Sequence, residues 1–395
     1  MYEAWLIPRD EPTVALSAVG LTVGTGYVRG RTGERSMAAR PTTGTIAGFV
    51  LRTARESVPL TQASMAEALG VDLATVQGWE SGRRPVAHMK AVDLLGLRRR
   101  LAGLGADAAI IALFEAAMDA DRIIGATLTG TEGPHPLAEW VHTRNTAHML
   151  AWALTGTRPS SLAGFPSPRR RGPAAASPLL PAQDRAMFFE QLRTTAEAAP
   201  RNDAQGVLLH RQALYLTSYD KSPEAVAWTA QALHARRGLL ARRGWTPQWA
   251  EARSTATALA RLGDPVPLLD FIERAIVDDD AGEAANLNYW AYWLGGTPLP
   301  QSDDRFMRDR QLTGWDPVTL LRGLTNGLHH APGYVDLYAH TMWALLTAHP
   351  WLPQASGLLV QDLAKRTERL LDGGGISERS RRELTGVHYV LRDRT

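Results

Sequence analysis

Residues 60–85 read LTQASMAEALGVDLATVQGWESGRRP, and this stretch decides how the N-terminal part of the chain folds. Its apolar residues recur at helical spacing in two short groups. The groups are Met65 with Leu69, and Val76 with Trp79. Gly70 lies between them, where a left-handed glycine ends a helix and turns the chain. Thr61 and Asp72 stand at N-cap positions, so the stretch predicts two short helices joined by a turn of about three or four residues.

Around this stretch the chain resembles the Xre family of helix-turn-helix proteins, which have the Cro and lambda-repressor-like fold. The resemblance extends over roughly residues 46–104. It is carried by Leu60-Thr61-Gln62, Ala66, Leu69-Gly70-Val71, Thr75-Val76, Trp79-Glu80, Gly82 and Pro85. It implies an N-terminal five-helix domain whose second motif helix enters the major groove of duplex DNA. It also implies a structural pair between Arg55 and Glu80.

The resemblance further implies a set of DNA-contacting residues. Gln62 would touch a phosphate at the start of the first motif helix, and Arg83 and Arg84 would touch phosphates after the second. The exposed start of the second helix would face base edges. The complete candidate set is Thr61, Gln62, Asp72, Leu73, Ala74, Thr75, Gln77, Gly78, Arg83 and Arg84. Because two of these residues are apolar and Gly78 has no side chain, we expect modest base readout and a larger share from phosphate contacts and DNA shape.

A purely structural interpretation of the same stretch stays open. Its four apolar residues belong to a core whether or not the segment binds DNA, although burial does not explain Gln62 together with Arg83 and Arg84. A glycine inside a helix costs about 1 kcal/mol relative to alanine. Gly78 therefore indicates a close approach of its backbone, either to DNA or to a neighbouring helix.

Composition limits the remaining possibilities. The chain has 395 residues, 45% hydrophobic and 21% charged, which is typical of a globular protein of two or three domains. It has no cysteine, which excludes disulfides, thiolate zinc sites and a cysteine nucleophile and is consistent with a cytoplasmic protein. The net charge of +3 is small. No segment is long and apolar enough to predict a membrane span, so no membrane partner is expected.

The predicted organisation is all-α with four parts. Residues 1–44 form a disordered or loosely ordered tail, and 45–128 form the helix-turn-helix domain, whose last helix is predicted over 106–127. Residues 129–182 supply a connecting helix, predicted over about 137–154, and a Pro/Arg-rich linker. Residues 183–395 form a C-terminal array of helical hairpins, resembling tetratricopeptide-type solenoids in class but without their residue signature at a fixed period.

Aromatic residues crowd one predicted helix of the C-terminal part. The segment 286–293 reads NLNYWAYW, and its four aromatic side chains cannot all face one core. Some of them would line a groove or pocket, and neighbouring asparagines would orient a ligand. The candidate ligand-binding residues are Asn286, Asn288, Tyr289 and Trp293. Burial of the aromatic residues at a helix junction remains the alternative.

The sequence holds no pattern that indicates catalysis. HExxH pairs, phosphate-binding loops and calcium loops are all absent, so we expect no catalytic residue, no metal site and no cofactor. Two function classes remain. The first is a DNA-binding transcriptional regulator, expected to act as a homodimer on double-stranded DNA, whose C-terminal helices sense a small molecule, a peptide or a protein partner. The second is a protein-interaction scaffold that uses the small N-terminal domain for assembly.

Overall fold

The computed structural model describes residues 44–130, 133–165, 176–297, 299–328, 333–355 and 357–392. These residues are helical and contain no β-strand, which confirms the all-α class. The predicted tail, apart from Gly44, lies outside the described residues. The central part of the predicted Pro/Arg-rich linker, residues 166–175, lies outside them as well.

The N-terminal part begins with four helices and a short fifth one. They are α1 (Thr45–Ser57), α2 (Gln62–Leu69), α3 (Leu73–Glu80), α4 (Ala91–Gly103) and α5 (Ala108–Ile111), followed by the long α6 (Phe114–Thr129). The helical pattern over residues 106–127 predicted one helix, and the structure divides it at Ala112 and Leu113. Ile110, Ile111 and Phe114 are all buried, as is Leu113. All four side chains belong to the same apolar core as α1.

A second predicted helix, over residues 137–154, is also divided. It becomes α7 (Pro136–Glu139) and α8 (Arg144–Thr155). Between them Trp140 takes an extended backbone conformation, and the amide of Val141 donates a hydrogen bond to the carbonyl of Gln301 at 2.7 Å. Thr143 then caps α8 by accepting from the amide of Thr146. The connection is therefore fixed by contacts with a distant part of the chain, which helical periodicity does not reveal.

The regular secondary structure of the described C-terminal part is helical. Its helices are α9 (Ala182–Ala198), α10 (Ala204–Thr217), α11 (Pro223–His234), α12 (Trp249–Arg261), α13 (Val266–Ala275), α14 (Asp280–Trp293), α15 (Pro317–Gly327), α16 (Tyr334–Ala348), α17 (Leu352–Ala355), α18 (Gly357–Gly373) and α19 (Glu378–Arg392). Pro223 and Pro317 occupy first helical positions, where proline lacks only an amide that would be unpaired anyway.

The buried apolar side chains form two large cores that meet near the middle of the chain. The first core contains buried side chains from each of the helices α1 to α10, beginning at Ile46 and ending at Leu216. The second runs from Trp249 in α12 to Leu391 in α19 and includes Ala147 of α8. The predicted boundary after residue 128 therefore does not coincide with a gap in packing. The stripe on α6 that carries Phe114 faces α1, α8 and α9, so intramolecular packing accounts for it.

Asp121 of α6 provides a polar link within the first core. Its carboxyl group accepts hydrogen bonds from the amides of Ile46 at 3.0 Å and Ala47 at 2.9 Å, the first turn of α1. These amides have no partner within the helix, and an acidic group at a helix N-terminus is favourable. Burial nevertheless raises the pKa of Asp121 to about 7, against the effect of the two amides.

Candidate functional site

Helices α2 and α3 are joined by a tight turn whose geometry follows from its residues. Gly70 ends α2 in the left-handed conformation, with φ of 67°, and its amide donates to the carbonyl of Glu67. Thr61 caps α2, since its hydroxyl oxygen accepts from the amide of Ser64 at 3.0 Å. Asp72 occupies the N-cap position of α3, although its carboxylate makes no capping hydrogen bond. The three residues Gly70 to Asp72 thus reverse the chain between two eight-residue helices.

A buried ion pair lies beneath this unit and confirms the predicted partnership of Arg55 and Glu80. The Arg55 Nε donates to Glu80 Oε1 at 2.6 Å, and Nη2 donates to Oε2 at 3.1 Å. Burial opposes the charge on Arg55, but Glu80 outweighs it and the pKa of Arg55 is raised. Gln62 joins the pair, donating from Nε2 to Glu80 Oε2 at 2.7 Å. The residue predicted to touch a phosphate is therefore also a structural tie between the start of α2 and the end of α3.

The outer face of α3 is exposed and mostly apolar or uncharged. Its exposed residues are Asp72, Leu73, Ala74 and Gln77, and Thr75 is half-buried. Gly78 is buried, in contrast to the exposed position predicted from the sequence. A Cβ atom at Gly78 would lie 3.0 Å from Cδ and 3.1 Å from Cγ of Arg84, so the arginine side chain covers the glycine. The close approach that the glycine permits is made by this side chain.

The side chain of Arg84 therefore packs along α3 and forms part of the outer surface of that helix. Its Nη1 donates to Thr75 Oγ1 at 2.9 Å, one helical turn before the glycine it covers. Arg83 is exposed beside it and donates from Nε to Ser81 Oγ at 3.1 Å. Within the part of the chain that the structure describes, neither arginine forms an ion pair. Exposed Lys90 adds a third positive charge after α3.

A cavity lies where the two apolar cores meet. It is partly open to solvent, offers about 80 Å³ of space to water-sized molecules, and is bounded by side chains from α7 and the segment after it, α8, α10, α12, α14 and the start of α16. The predicted ligand residues Tyr289 and Trp293 line it. Their rings stack at an interplanar angle of 13° with centroids 6.4 Å apart.

Asn286 and Asn288, the other two predicted ligand residues, do not line this cavity. Asn286 is fully buried and donates to Thr341 Oγ1 at 2.8 Å. Asn288 is also buried, and its amide group donates to the carbonyl of Asp309 at 2.6 Å while its carbonyl accepts from Trp315 Nε1 at 2.7 Å. Both side chains hold neighbouring segments in place, so the polar groups of the cavity come from elsewhere.

The charged groups of the cavity are three arginines that sequence analysis did not single out. Arg211 on α10, and Arg253 and Arg261 on α12, line the cavity. Arg253 and Arg261 are eight residues apart, which places them on one face of α12. That spacing is visible in the sequence, but arginines two turns apart on a helix are usually solvated, so the pattern alone would not have identified a buried site.

The chain matches no protein-family model, no curated protein and no solved structure. In the described ranges, no helix is both long enough and apolar enough to cross a membrane. The same residues contain no group of three or more His, Cys, Asp or Glu side chains placed to hold a metal ion.

Proposed function

We propose that the chain is a DNA-binding transcriptional regulator in which α2, the turn and α3 form a helix-turn-helix unit and α3 enters the major groove. The observation that carries the proposal is the pair of exposed arginines, Arg83 and Arg84, beside the outer face of α3 without carboxylate partners. Positive side chains at such a position are suited to phosphates, which supply most of the affinity of DNA-binding proteins.

The network beneath the face supports the same proposal. Arg55, Gln62 and Glu80 lock α1, α2 and α3 together, so the outer face of α3 is presented by a rigid support. Rigid elements position a binding surface better than loops do. The exposed face offers only Gln77 and Thr75 as hydrogen-bonding groups on α3 itself, and the hydroxyl of Thr75 is already engaged by Arg84. We infer that Arg84, resting on α3, contributes more to DNA contact than the side chains of the helix.

The C-terminal helices form the sensing part of this proposal. The cavity between α8, α10, α12 and α14 gives a small molecule a place to bind, and the remaining helices form an array of hairpins of tetratricopeptide-like type. We expect a homodimer, since regulators of this kind usually bind paired half-sites with two-fold symmetry. The protein would act in the cytoplasm, on the nucleoid when bound to DNA.

A scaffold function is the alternative, and one observation favours it. Leu73 on the outer face of α3 is 42% exposed, and Val92 on α4 is 71% exposed. Exposed apolar side chains on such a face can mark a protein interface. In this case the α2–α3 face would contact a protein, and binding to DNA would be absent or would not depend on Arg83 and Arg84.

Binding of the full chain to duplex DNA as a function of salt concentration tests the proposal. Replacing Arg83 with alanine should lower the affinity for all duplexes alike and reduce the slope of log affinity against log salt by about 1. Arg243→Ala is the matched control, because Arg243 is equally exposed but lies between α11 and α12. Gln77→Ala should instead change the preferred sequence. Failure of the wild-type protein to shift any duplex at low salt would overturn the proposal.

Selection of genomic fragments with the full chain would then identify the operator. Two half-sites related by a two-fold axis are expected in the recovered sequences. Their centre-to-centre spacing should be close to a whole number of helical turns. Recovered sites without such symmetry would contradict the expected homodimer.

A further inference from the structure

The charges around the cavity do not balance. None of its lining residues is acidic. Arg211 is paired, since it donates to both carboxylate oxygens of Asp304 at 2.6 and 2.8 Å. In the described part of the chain, Arg253 and Arg261 form neither a hydrogen bond nor an ion pair. Guanidinium groups keep their charge in proteins, so two positive charges at the cavity lack a protein counter-charge.

Burial makes this imbalance significant. Arg253 is only 5% exposed, and its Nε atom is inaccessible and without an acceptor. Burial is the main cause that lowers the pKa of Arg253, and the charge of Arg211 acts in the same direction. The Nε of Arg261 is likewise inaccessible and without an acceptor, although the whole residue is half-buried. A buried charge without a partner destabilises a protein, which suggests that a ligand completes the site.

Aromatic rings cover the faces of both guanidinium groups but do not neutralise them. The Cζ atom of Arg253 lies 3.8 Å from the ring centre of Tyr289, and that of Arg261 lies 4.6 Å from the ring centre of Tyr215. A ring over the face of a guanidinium stabilises its charge while leaving the N–H groups at its edge without acceptors. Carboxylate and phosphate oxygens are the acceptors that match this edge in a bidentate manner.

The aromatic rings between the two arginines contact one another and form one continuous wall of the cavity. Tyr289 stacks on Trp293, and Trp293 meets Tyr215 edge-on with ring centres 5.8 Å apart. Arg253 and Arg261 therefore stand at opposite ends of a wall of three aromatic rings. Eight residues of α-helix separate them by about 12 Å along the axis. Such a wall fits a flat apolar body, and its ends fit oxyanions.

We propose that this cavity binds an elongated small molecule with a planar apolar body and an oxyanion group at one or both ends, held by Arg253 and Arg261. The inference rests on the proposed function, because it names the chemical class that the sensing part would recognise. Carboxylates and phosphate monoesters share the required chemistry.

The position of the cavity connects the ligand to the N-terminal helices. Leu150 of α8 lines the cavity, and Trp152 of the same helix meets Phe49 of α1 edge-on with ring centres 5.8 Å apart. Helix α1 is tied to α3 through Arg55 and Glu80. A ligand that moves α8 would thus act on the support of the α2–α3 face through contacts that already exist.

Calorimetric titration of the full chain, without DNA, tests the inference with four matched probes. They are 2-naphthoate, 2-naphthyl phosphate, naphthalene-2,6-dicarboxylate and the neutral 2-naphthamide. At least one anionic probe should bind about tenfold more tightly than 2-naphthamide, since the amide offers no charge to the guanidinium groups. Comparison of the naphthoate with the phosphate identifies the preferred oxyanion, and a gain from the second carboxylate shows that both ends of the wall are used. Absence of binding by every probe, or equal binding of the amide, would overturn the inference.

Variants then assign the effect to the two arginines. Arg253→Met keeps an apolar stem of similar length and should weaken the binding of the anionic probe about tenfold, leaving 2-naphthamide unchanged. Arg261→Met should do the same and serves if the first variant fails to fold. Arg243→Met is the matched surface control. Removal of an unpaired buried charge should also raise the melting temperature of the ligand-free Arg253 variant. Unchanged binding of the anionic probe by both cavity variants would refute the assignment.

These measurements are separate from the DNA experiment. Loss of probe binding with intact DNA binding would refute only the anion site, and the reverse outcome would refute only the helix-turn-helix proposal. If both hold, the anionic probe that binds best should change the affinity of the full chain for its operator.

Discussion

Replacing Gly78 with alanine should separate the stability of α3 from the position of Arg84. Alanine stabilises a helix interior by about 1 kcal/mol relative to glycine. At this site the new Cβ atom would come within 3.0 Å of Arg84 Cδ, which is closer than side-chain carbons normally approach. The exposed arginine would swing away and lose its hydrogen bond to Thr75, which costs about 0.5 kcal/mol. The net gain should therefore be about half of that expected for an unobstructed helical glycine.

Gly96 of α4 is the matched control, since a Cβ atom there would meet nothing within 4 Å. Gly96→Ala should give the full stabilisation and leave DNA affinity unchanged, whereas Gly78→Ala should weaken DNA binding about tenfold by displacing a charged contact. Differential scanning calorimetry and fluorescence anisotropy on labelled duplex DNA measure the two effects on the same preparations.

A double-mutant cycle with Arg84→Ala checks the physical cause. Without the arginine, the alanine at position 78 should stabilise α3 fully and should not change DNA affinity any further. If Gly78→Ala weakens DNA binding equally in both backgrounds, the backbone of α3 itself approaches the DNA at Gly78. That result would refute the proposed contribution of Arg84 to DNA contact.

Three further predictions concern the folded state. Burial, together with the charge of Arg211, lowers the pKa of His142 to about 3. As the pH falls below 6.5, His142 therefore takes up a proton in the unfolded chain but not in the folded protein. Stability should drop by up to about 5 kcal/mol between pH 6.5 and 3 from this group. His142→Gln should make the calorimetric pH profile less steep there, and the rest of the slope should remain because burial also lowers the pKa values of His135, His148 and His210 to about 4. Asp121 acts in the opposite direction, because its raised pKa of about 7 makes the free energy of unfolding fall as the pH rises from about 4 to 7; Asp121→Asn should remove that slope. Asn288→Ala should lower stability by about 2 kcal/mol by leaving the indole N–H of Trp315 without an acceptor, yet should leave anionic probe binding intact; a selective loss of binding would show that Asn288 contacts the ligand.

The local pattern of the sequence correctly predicted structure that depends on residues close to one another in the chain. The turn at Gly70 agrees with it. The pair between Arg55 and Glu80, 25 residues apart, agrees instead with what the family resemblance implied. The local pattern did not predict structure that depends on contacts between distant segments. At Val141, a hydrogen bond from its amide to the carbonyl of Gln301 accompanies the interruption of a stretch with helical periodicity. The helix predicted over residues 106–127 is likewise interrupted, at Ala112 and Leu113.

In the candidate sites as well, the sequence predicted some features and missed those that depend on distant contacts. Gly78 indicated a close approach to DNA or to a neighbouring helix, but the group that covers it is the side chain of Arg84 from the segment after α3, which helix periodicity could not identify. Tyr289 and Trp293 line the cavity as the aromatic crowding suggested, whereas Asn288 is used to hold the chain. Arg253 escaped notice because exposure of an arginine is the normal expectation, and only the folded structure reveals that it is buried.

The uninterrupted core from α1 to α10 determines how this protein can be divided in the laboratory. A fragment that ends near residue 130 keeps the α2–α3 face but exposes the side of α6 that packs on α8 and α9, and it removes Trp152 from Phe49. Such a fragment would aggregate or unfold, and its failure to bind DNA would carry no information about the face. The shortest informative piece must retain α8, α9 and α10, because the helices that present the surface rest on them.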